Sequence, residues 1–307
     1  MALARAPRRR VDGVLLLDKP HGLTSNAALQ RAKHLLAAEK AGHTGTLDPL
    51  ATGLLPLCFG EATKFAHTLL DARKEYFATV SFGVATDTGD GEGETLATCA
   101  VAFSRDELAA VLPRFVGTIA QVPPRFAALK HRGRNYYEYA RAGVDIPRPA
   151  RDVRVDAVEL VGWEPPQAKL RVACGKGTYI RTLAEDIAAA LGSCAHLAAL
   201  RRTVAGPFSL DRAVTLGALE EMELAGRDAL LLPVDAALAG VERLDVDGAT
   251  ESALVHGRVG NAPVDSNGRY RCYNPAGRFV GLVEASRGEL RAVRLARADG
   301  IGASGRR

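Results

Sequence analysis

The spacing of apolar and polar residues predicts strands and helices along most of the chain. Residues 14–17 are four consecutive aliphatic residues followed by Asp-Lys-Pro, a pattern typical of a buried strand. Apolar residues then recur at helical spacing from about residue 24 to about residue 40, with Gly42 as the expected C-cap. Residues 76–83 alternate as a strand, and residues 169–174 form another.

Two further helices carry capping signals. Ser104 with Glu107 marks a helix start, and so does Thr182 with Glu185. Residues 42–60 are rich in Gly, Thr and Pro and are expected to be loop-like. Because strands and helices do not alternate strictly, the pattern favours an α+β fold with a mixed, mainly antiparallel sheet over a doubly wound sheet.

The chain changes character after Gly240. Short strand candidates separated by Gly, Asn and Asp turns lie at residues 241–246, 269–273, 278–283 and 289–295. We therefore predict a large domain at residues 12–240 and a small all-β module at residues 241–300. Residues 1–11 are expected to be a disordered basic tail, and residues 301–307 a flexible one.

Charge suggests a polyanionic partner. The net charge is +5 and the isoelectric point is near 9.0. Residues 124–154 hold eight Lys and Arg against three acids, together with three of the seven tyrosines. Basic residues interleaved with aromatic ones suit a nucleic-acid surface, where cations meet phosphates and rings meet bases. A solvated loop anchored by tyrosines is an equal alternative on charge alone.

The cysteines, the histidines and the hydropathy pattern argue against several kinds of site and segment. The five cysteines are scattered, with no C-x-x-C pair, and they predict neither a disulfide framework nor a zinc site. No histidine pairing typical of a metal site is present. The aliphatic run at residues 14–17 is too short for a signal peptide or a membrane span. Reduced thiols and no export signal predict a cytoplasmic protein.

The strongest candidate for chemistry is the carboxylate of Asp48. It lies in residues 42–53, where glycines permit a tight backbone, and Pro49 restricts the conformation of the aspartate before it. Such a loop can hold one acid rigidly beside a ligand. A structural Asx-turn, with Asp48 capping its own loop, is the alternative.

Other segments carry weaker signals. Tyr179 and Arg181 would point the same way if that segment is extended, so that one can stack on a base and the other can bind a carboxylate or phosphate. Tyr76 heads a strand and by itself suggests core packing, and the arginine pair in residues 200–208 by itself suggests a solvated helix end. No nucleotide-binding loop, catalytic triad or Cys-His pair can be assigned.

Taken together, these segments resemble the tRNA pseudouridine synthase B family. The resemblance covers most of the first 210 residues, in the family's order and with similar gaps, at residues 13–26, 42–56, 60–64, 74–76, 121–143, 175–181 and 192–208. Small departures occur at Arg125, Phe126 and Ala127, where the family often has Met, Tyr and Ser, and at Gly175, where Ser is common. The match after Gly240 is loose.

The resemblance implies a pseudouridine synthase fold with a basic RNA-binding thumb inserted at about residues 124–151, and a C-terminal PUA-type RNA-binding module at residues 241–300. It implies an isomerase that converts uridine 55 in the T loop of tRNA to pseudouridine without a metal or organic cofactor. The partner would be the T arm of tRNA. No membrane and no obligate protein partner would be involved, and the protein would be a monomer.

The resemblance also assigns roles to residues. Asp48 would be the nucleophile, Arg181 would pair with it and keep it ionised, and Tyr76 would contact the flipped uridine. The other substrate-binding residues would be His43, Tyr179, Leu200, Lys19 and Lys64, with the two lysines as phosphate or structural partners. The thumb would contact RNA through Lys130, Arg132 and Arg134.

Whether a carboxylate attacks the sugar or the base, or removes a sugar proton, stays open at this point. Two other functions also stay open: a non-catalytic tRNA-binding or tRNA-folding protein, and a guide-RNA-dependent relative that acts on ribosomal RNA.

Overall fold

The computed structural model describes residues 8–263 and 266–297. Its strands are β1 Gly13–Lys19, β2 Ala41–His43, β3 Thr52–Phe59, β4 Lys74–Phe82, β5 Val84–Thr86, β6 Thr95–Thr98, β7 Gly117–Gln121, β8 Lys130–His131, β9 Arg134–Asn135, β10 Arg151–Glu164, β11 Gln167–Cys174, β12 Ala195–Ala205, β13 Phe208–Ser209, β14 Val214–Thr215, β15 Glu242–Asp245, β16 Gly260–Asn261, β17 Gly268–Tyr273, β18 Phe279–Ser286 and β19 Glu289–Leu295. Its α-helices are α1 Ser25–Leu35, α2 Ala66–Asp71, α3 Arg105–Val111, α4 Tyr136–Arg141, α5 Ile180–Ala190, α6 Leu216–Glu221, α7 Leu224–Ala229 and α8 Gly248–Val255. Short 3-10 helices span Gly60–Lys64, Leu112–Phe115, Leu210–Arg212 and Val234–Leu238.

One large sheet organises the first 240 residues. Its strand order is β14-β1-β3-β12-β4-β11-β10-β7, with β2 added beside β3 and β13 beside β12. The pairs β1/β14 and β3/β12 are parallel, and the other neighbours are antiparallel. The predicted α+β fold with a mixed, mainly antiparallel sheet is confirmed.

The centre of this sheet is buried on both faces. Alternate residues of β1 point to opposite sides: Leu15 and Leu17 join a core with α1 and α5, whereas Val14 and Leu16 join a second core. That second core also contains Phe65 and Phe279, whose rings meet edge to face with centroids 5.4 Å apart. The second core therefore fastens the C-terminal module to the large sheet.

The C-terminal module is a five-stranded sheet in the order β15-β17-β18-β19-β16. All four strands predicted from the sequence are present, within a few residues of the expected bounds. The prediction that the module is entirely β is wrong, because α8 lies between β15 and β16 and buries Leu254. Asp247 caps this helix by accepting a hydrogen bond from the Thr250 N–H.

Local predictions succeed where a capping residue defines the boundary. Thr24 caps α1 and Ser104 with Glu107 forms the expected capping box of α3. The predicted start of α5 is wrong: the helix already begins at Ile180, and the Thr182 hydroxyl donates to the Val122 carbonyl instead of capping. Helix α1 ends at Leu35 rather than near residue 40.

Two segments that were predicted to be a loop or the end of a helix contain strands. Gly42, the expected helix C-cap, lies in β2. The second part of the segment predicted as a loop at residues 42–60 is β3, whose residues are almost all buried. Residues 195–205 form β12, so the arginine pair at its centre is not a helix end.

At the ends of the chain, residues 1–7 and 298–307 lie outside the described residues, and the second range includes the whole tail predicted at 301–307. The rest of the predicted N-terminal tail is ordered, which corrects the expectation for that part. Arg9 forms an ion pair with Asp228 and Val11 is buried in the main core.

A disulfide joins Cys99 and Cys194, which contradicts the expectation of reduced thiols for these two residues. Their Cα atoms are 5.7 Å apart although 95 residues separate them. Gly83 brings them together, because its N–H bonds to the Cys194 carbonyl and its carbonyl accepts from the Cys99 N–H. Such a long-range pairing leaves no spacing signal in the sequence. The other three cysteines are free and buried.

In the described ranges, 8–263 and 266–297, no helix combines the length and the apolar character that a membrane crossing needs.

Candidate active site

Residues 44–51 form a loop between β2 and β3 that carries Asp48, and hydrogen bonds fix its backbone at two points before the aspartate. The Leu47 N–H donates to Ser25 Oγ over 2.7 Å, and that hydroxyl donates back to the Leu47 carbonyl over 3.0 Å. The Thr44 N–H bonds to the Pro56 carbonyl over 3.1 Å. The loop therefore presents its carboxylate from a rigid backbone.

Lys19 contacts the same loop through the carbonyl of Pro49. Its side chain is fully buried, and Nζ donates to the carbonyls of Pro20, Leu23 and Pro49 over 2.9, 2.6 and 3.5 Å. Burial lowers the pKa of this ammonium to about 8, and the nearby Asp48 opposes that effect. Lys19 was expected to be a phosphate or a structural partner, and these contacts agree with the structural role, because backbone carbonyls enclose the ammonium and one of them, that of Pro49, belongs to the Asp48 loop.

Asp48 and Arg181 form the predicted ion pair. Arg181 Nη2 lies 2.9 Å from Asp48 Oδ2. The arginine side chain is only 6% exposed, whereas 42% of the aspartate side chain is exposed toward the open pocket. The pair therefore presents the carboxylate to a ligand and keeps the cation behind it.

Three further groups hold the Arg181 guanidinium. Nη1 donates to the Thr88 carbonyl over 2.8 Å, and Nη2 donates to the Phe126 carbonyl over 2.9 Å. The carboxylate of Asp90, which is itself buried, lies 3.7 Å away. Because Phe126 belongs to the predicted thumb, Arg181 also links the thumb to the Asp48 loop.

The ion pair with Arg181 would by itself lower the pKa of Asp48, but the pKa is raised on balance. The pKa of the Asp48 carboxyl lies above its ordinary value; desolvation is the largest cause of the rise, and Arg181 and Lys19 oppose it. Asp90 adds to the rise because it is a second negative charge nearby. A poorly solvated carboxylate is a stronger nucleophile and base than one in water.

A pocket of about 410 Å³ opens beside Asp48. Four of the predicted site residues line it together with Asp48: Tyr76, Tyr179, Arg181 and Leu200. Gln121 fixes the backbone of Tyr179, because its amide accepts from the Tyr179 N–H over 3.0 Å and donates to the Tyr179 carbonyl over 3.3 Å. Arg181 is helical rather than extended, yet it faces the same pocket as Tyr179.

Arg202 was missed by the sequence reasoning and also lines this pocket. It is 1% exposed and is among the largest fully buried side chains of the described residues. Its strand neighbour Arg201 is exposed and forms an ion pair with Asp18 over 2.7 Å. Successive residues of a strand point to opposite faces. Had this segment been predicted as a strand, one of the two arginines would have been expected to be buried.

His43 lies in a second cleft, which Asp48 also lines. This cleft has a volume of about 650 Å³ and is also lined by Phe126, Tyr137 and Arg141 of the predicted thumb. The His43 Nδ1 atom is buried and has no hydrogen-bond partner. Burial, followed by the nearby Arg202, lowers the pKa of His43, so the ring is neutral at pH 7. His43 therefore does not line the same pocket as Tyr76.

The predicted thumb residues are exposed on a small hairpin. Lys130, Arg132 and Arg134 lie on or between β8 and β9, and a turn with positive φ at Arg132 and Gly133 joins these strands. The Arg134 guanidinium lies 5.2 Å from the centre of the Tyr139 ring. These cations are available to a partner next to the cleft.

Lys64 lies elsewhere. Its Nζ bonds to Glu61 over 2.6 Å and to the Leu295 carbonyl over 3.1 Å, at the contact with the C-terminal module. It lines neither of the two clefts beside Asp48. Of the two roles expected for Lys64, phosphate partner or structural partner, these contacts agree with the structural one, because Lys64 joins two parts of the protein.

Comparison with known proteins agrees with this fold and site. Residues 33–180 match the model of the TruB family pseudouridylate synthase (N terminal domain), and residues 181–239 match the tRNA pseudouridylate synthase B C-terminal domain. A solved structure titled as a Cbf5-Nop10-Gar1 complex superimposes with a TM-score of 0.71 at 28% identity, over 93% of this chain and 84% of that chain. The class defined by fold and site is thus that of the pseudouridylate synthases.

Curated relatives narrow the class. A tRNA pseudouridine synthase B of Thiobacillus denitrificans is 54% identical over 94% of this chain and 97% of its own. Another, from Chromobacterium violaceum, is 50% identical over 96% of this chain and 98% of its own. The chain belongs to the tRNA pseudouridine synthase B family.

Proposed function

We propose that this protein isomerises uridine 55 in the T loop of tRNA to pseudouridine, with Asp48 as the nucleophile. The observation that carries the proposal is the Asp48–Arg181 pair, whose carboxylate faces a pocket while its cation is buried. The basic hairpin of the thumb stands beside the neighbouring cleft and supplies contacts for RNA phosphates. Membership of the tRNA pseudouridine synthase B family supports the choice of substrate.

The reaction is an isomerisation whose atoms and electrons balance without an oxidant. The bond from the sugar C1′ to the base N1 breaks, and a bond from C1′ to the base C5 forms. The proton on C5 leaves, and N1 gains one. Asp48 acts as the nucleophile that holds the reacting fragment, and Arg181 orients its carboxylate.

The uridine must leave its stack to reach Asp48, because the carboxylate lies inside a pocket. Tyr76, Tyr179 and Leu200 line the walls against which the flipped base would pack. His43, in the adjacent cleft, would contact the nucleotides next to the flipped one. Lys130, Arg132 and Arg134 would contact the phosphates of the T arm.

The C-terminal module is PUA-like in position and strand pattern, and we propose that it adds RNA contacts remote from the pocket. As a tRNA-modifying enzyme the protein would act in the cytoplasm, as a single chain.

Two alternatives are less well supported. A non-catalytic RNA-binding protein would not need a carboxylate that faces an open pocket and is paired with a buried arginine. A guide-RNA-dependent enzyme is suggested by solved neighbours titled as Cbf5-Nop10-Gar1 and H/ACA RNP complexes. Relatives that are at least half identical are instead named as tRNA enzymes.

The test is tritium release from a T-arm stem-loop whose uridines carry tritium at C5, with purified protein alone. The proposed reaction releases one tritium per stem-loop, because C5 loses its proton only where it becomes the attachment point. The Asp48→Asn variant should bind the stem-loop and release none. Release that requires an added guide RNA would support the guide-dependent alternative, and tight binding without release by the wild type would support the non-catalytic one.

A further inference from the structure

Arg202 is a buried cation whose charge has no carboxylate partner among residues 8–263 and 266–297. Its Nε donates to the Leu54 carbonyl over 2.7 Å, and Nη2 donates to the Gly45 carbonyl over 3.3 Å. Arg181, the other buried arginine of the pocket, contacts both Asp48 and Asp90. Burying a charge without an opposite charge is unfavourable. We therefore expect Arg202 to have a role in the pocket that it lines.

The sheet places Arg202 directly beside Tyr76. The two residues are cross-strand partners in the antiparallel pair β12/β4, and both line the pocket. Side chains of directly opposed residues on one face lie close enough to interact. Arg202 is near enough to lower the pKa of the Tyr76 hydroxyl, although the opposite effect of burial is larger and the pKa lies above its ordinary value.

The backbone on the other side of Arg202 holds it in this place. Gly53 of β3 is its partner in the parallel pair β3/β12, and its φ is +99°. A Cβ atom on Gly53 would lie 2.8 Å from the Arg202 nitrogen and closer still to its carbonyl oxygen. The close approach of these two strands therefore requires glycine at position 53, and it fixes the backbone position of Arg202.

The local field favours an anion at the floor of the pocket. Lys74, which is also buried and lines the pocket, donates to the carbonyls of Leu70 and Ala72 over 2.6 and 2.5 Å. Burial lowers the pKa of Lys74 to about 8, and Arg202 contributes to that shift. Of the described residues, Asp48 is the only carboxylate that lines this pocket, against three cations.

We propose that Arg202 is a positioning residue for the Tyr76 hydroxyl, a role that rests on the proposed isomerisation of uridine. The guanidinium holds the phenolic oxygen beside the flipped base and stabilises negative charge on it. When the C5–H bond of the base breaks, its proton passes to the Tyr76 oxygen while the hydroxyl's own proton passes to water. The electron pair of the C5–H bond stays in the base ring. N1 takes a proton from solvent, which completes the balance.

The test is a double-mutant cycle measured by single-turnover rates on a T-arm stem-loop. Arg202→Gln removes the charge but keeps an N–H donor for the backbone carbonyls, and Arg202→Lys keeps the charge. Each is made in the wild-type and in the Tyr76→Phe background. Arg201→Gln is the matched control, because its side chain lies on the opposite face of the same strand and is paired with Asp18. Melting temperatures and stem-loop affinities are measured for every variant.

In the wild-type background, Arg202→Gln should lower the rate about ten- to hundredfold, the range of a hydrogen bond to a charged group. Arg202→Lys should recover most of that loss. In the Tyr76→Phe background both changes should cost less than about threefold, because residues that act as a unit are strongly non-additive. The affinity for the stem-loop and the control variant's rate should stay near wild type.

Equal losses in both backgrounds would overturn the proposal, since Arg202 would then act through the fold or on the base directly. A Tyr76→Phe enzyme with a near-wild-type rate would overturn it as well, because the hydroxyl would have no step to support. A wild type that releases no tritium would instead refute the proposed function itself.

Discussion

Neutralising the exposed cations of the thumb should change how tRNA binding depends on salt. The perturbation is the triple change Lys130→Gln, Arg132→Gln and Arg134→Gln. All three side chains are exposed on the β8–β9 hairpin, so their removal leaves no buried group unpaired. Arg134 contacts Glu138 over 3.6 Å at the surface, and such exposed pairs contribute little to stability. The melting temperature should therefore stay within a few degrees of wild type.

The expected magnitude follows from the number of phosphate contacts. Each contact contributes about 0.7 to 0.9 units to the slope of log affinity against log salt, so three contacts contribute roughly 2 to 3 units. Between about 50 and about 200 mM salt, the wild type should lose about 20- to 40-fold more affinity than the triple variant. Filter binding of an unmodified T-arm stem-loop over this range measures both slopes.

The control for the thumb is Arg31→Gln, which removes an exposed cation that forms an ion pair with Glu220 on another part of the protein. Its slope should equal that of the wild type. If the triple variant also keeps the wild-type slope, the thumb cations are merely solvated and the assignment of the thumb as an RNA-binding surface is refuted.

Three other changes test the site and its support. Asp48→Asn should abolish turnover and leave tRNA affinity unchanged, and residual turnover above about a tenth of wild type in a single-turnover assay would assign the chemistry to another group. Tyr76→Phe should slow the chemical step by about two to four orders of magnitude, the range for a positioned acid or base; a near-wild-type single-turnover rate would mean that the ring only stacks. Gly53→Ala should lower the free energy of unfolding by roughly 3 kcal/mol or more, because its Cβ would overlap the Arg202 backbone. Gly42→Ala, with open space around it, is the matched control, and equal urea midpoints for the two variants would contradict the steric argument.

The sequence predicted those parts of the fold that local signals define. A continuous aliphatic run marked β1, and the capping box of Ser104 with Glu107 marked α3. Strand β3 was not predicted, because its sequence contains Pro56, which has no N–H to donate. In the structure Pro56 contributes its carbonyl instead, which accepts a hydrogen bond from the Thr44 N–H. A compensation of that kind depends on a distant segment and cannot be predicted locally.

The site was predictable to the extent that the family resemblance named its residues. The ion pair of Asp48 with Arg181 is present, and Tyr76 lines the same pocket. The sequence left the roles of Lys19 and Lys64 open between phosphate contact and structural support, because a lysine carries the same charge whether it faces solvent or donates to buried carbonyls. Arg202 was missed for the converse reason, since two adjacent arginines look like a solvated pair until the strand that separates them is known.

One measurement tests the central claim most directly: the position of pseudouridine in an unmodified tRNA transcript incubated with the purified protein alone. Carbodiimide labelling followed by reverse transcription locates each pseudouridine. The account predicts full conversion at position 55, no other modified position, and no conversion with Asp48→Asn. A transcript that stays unmodified with the wild-type protein, or full conversion at position 55 by the Asp48→Asn variant, would contradict it.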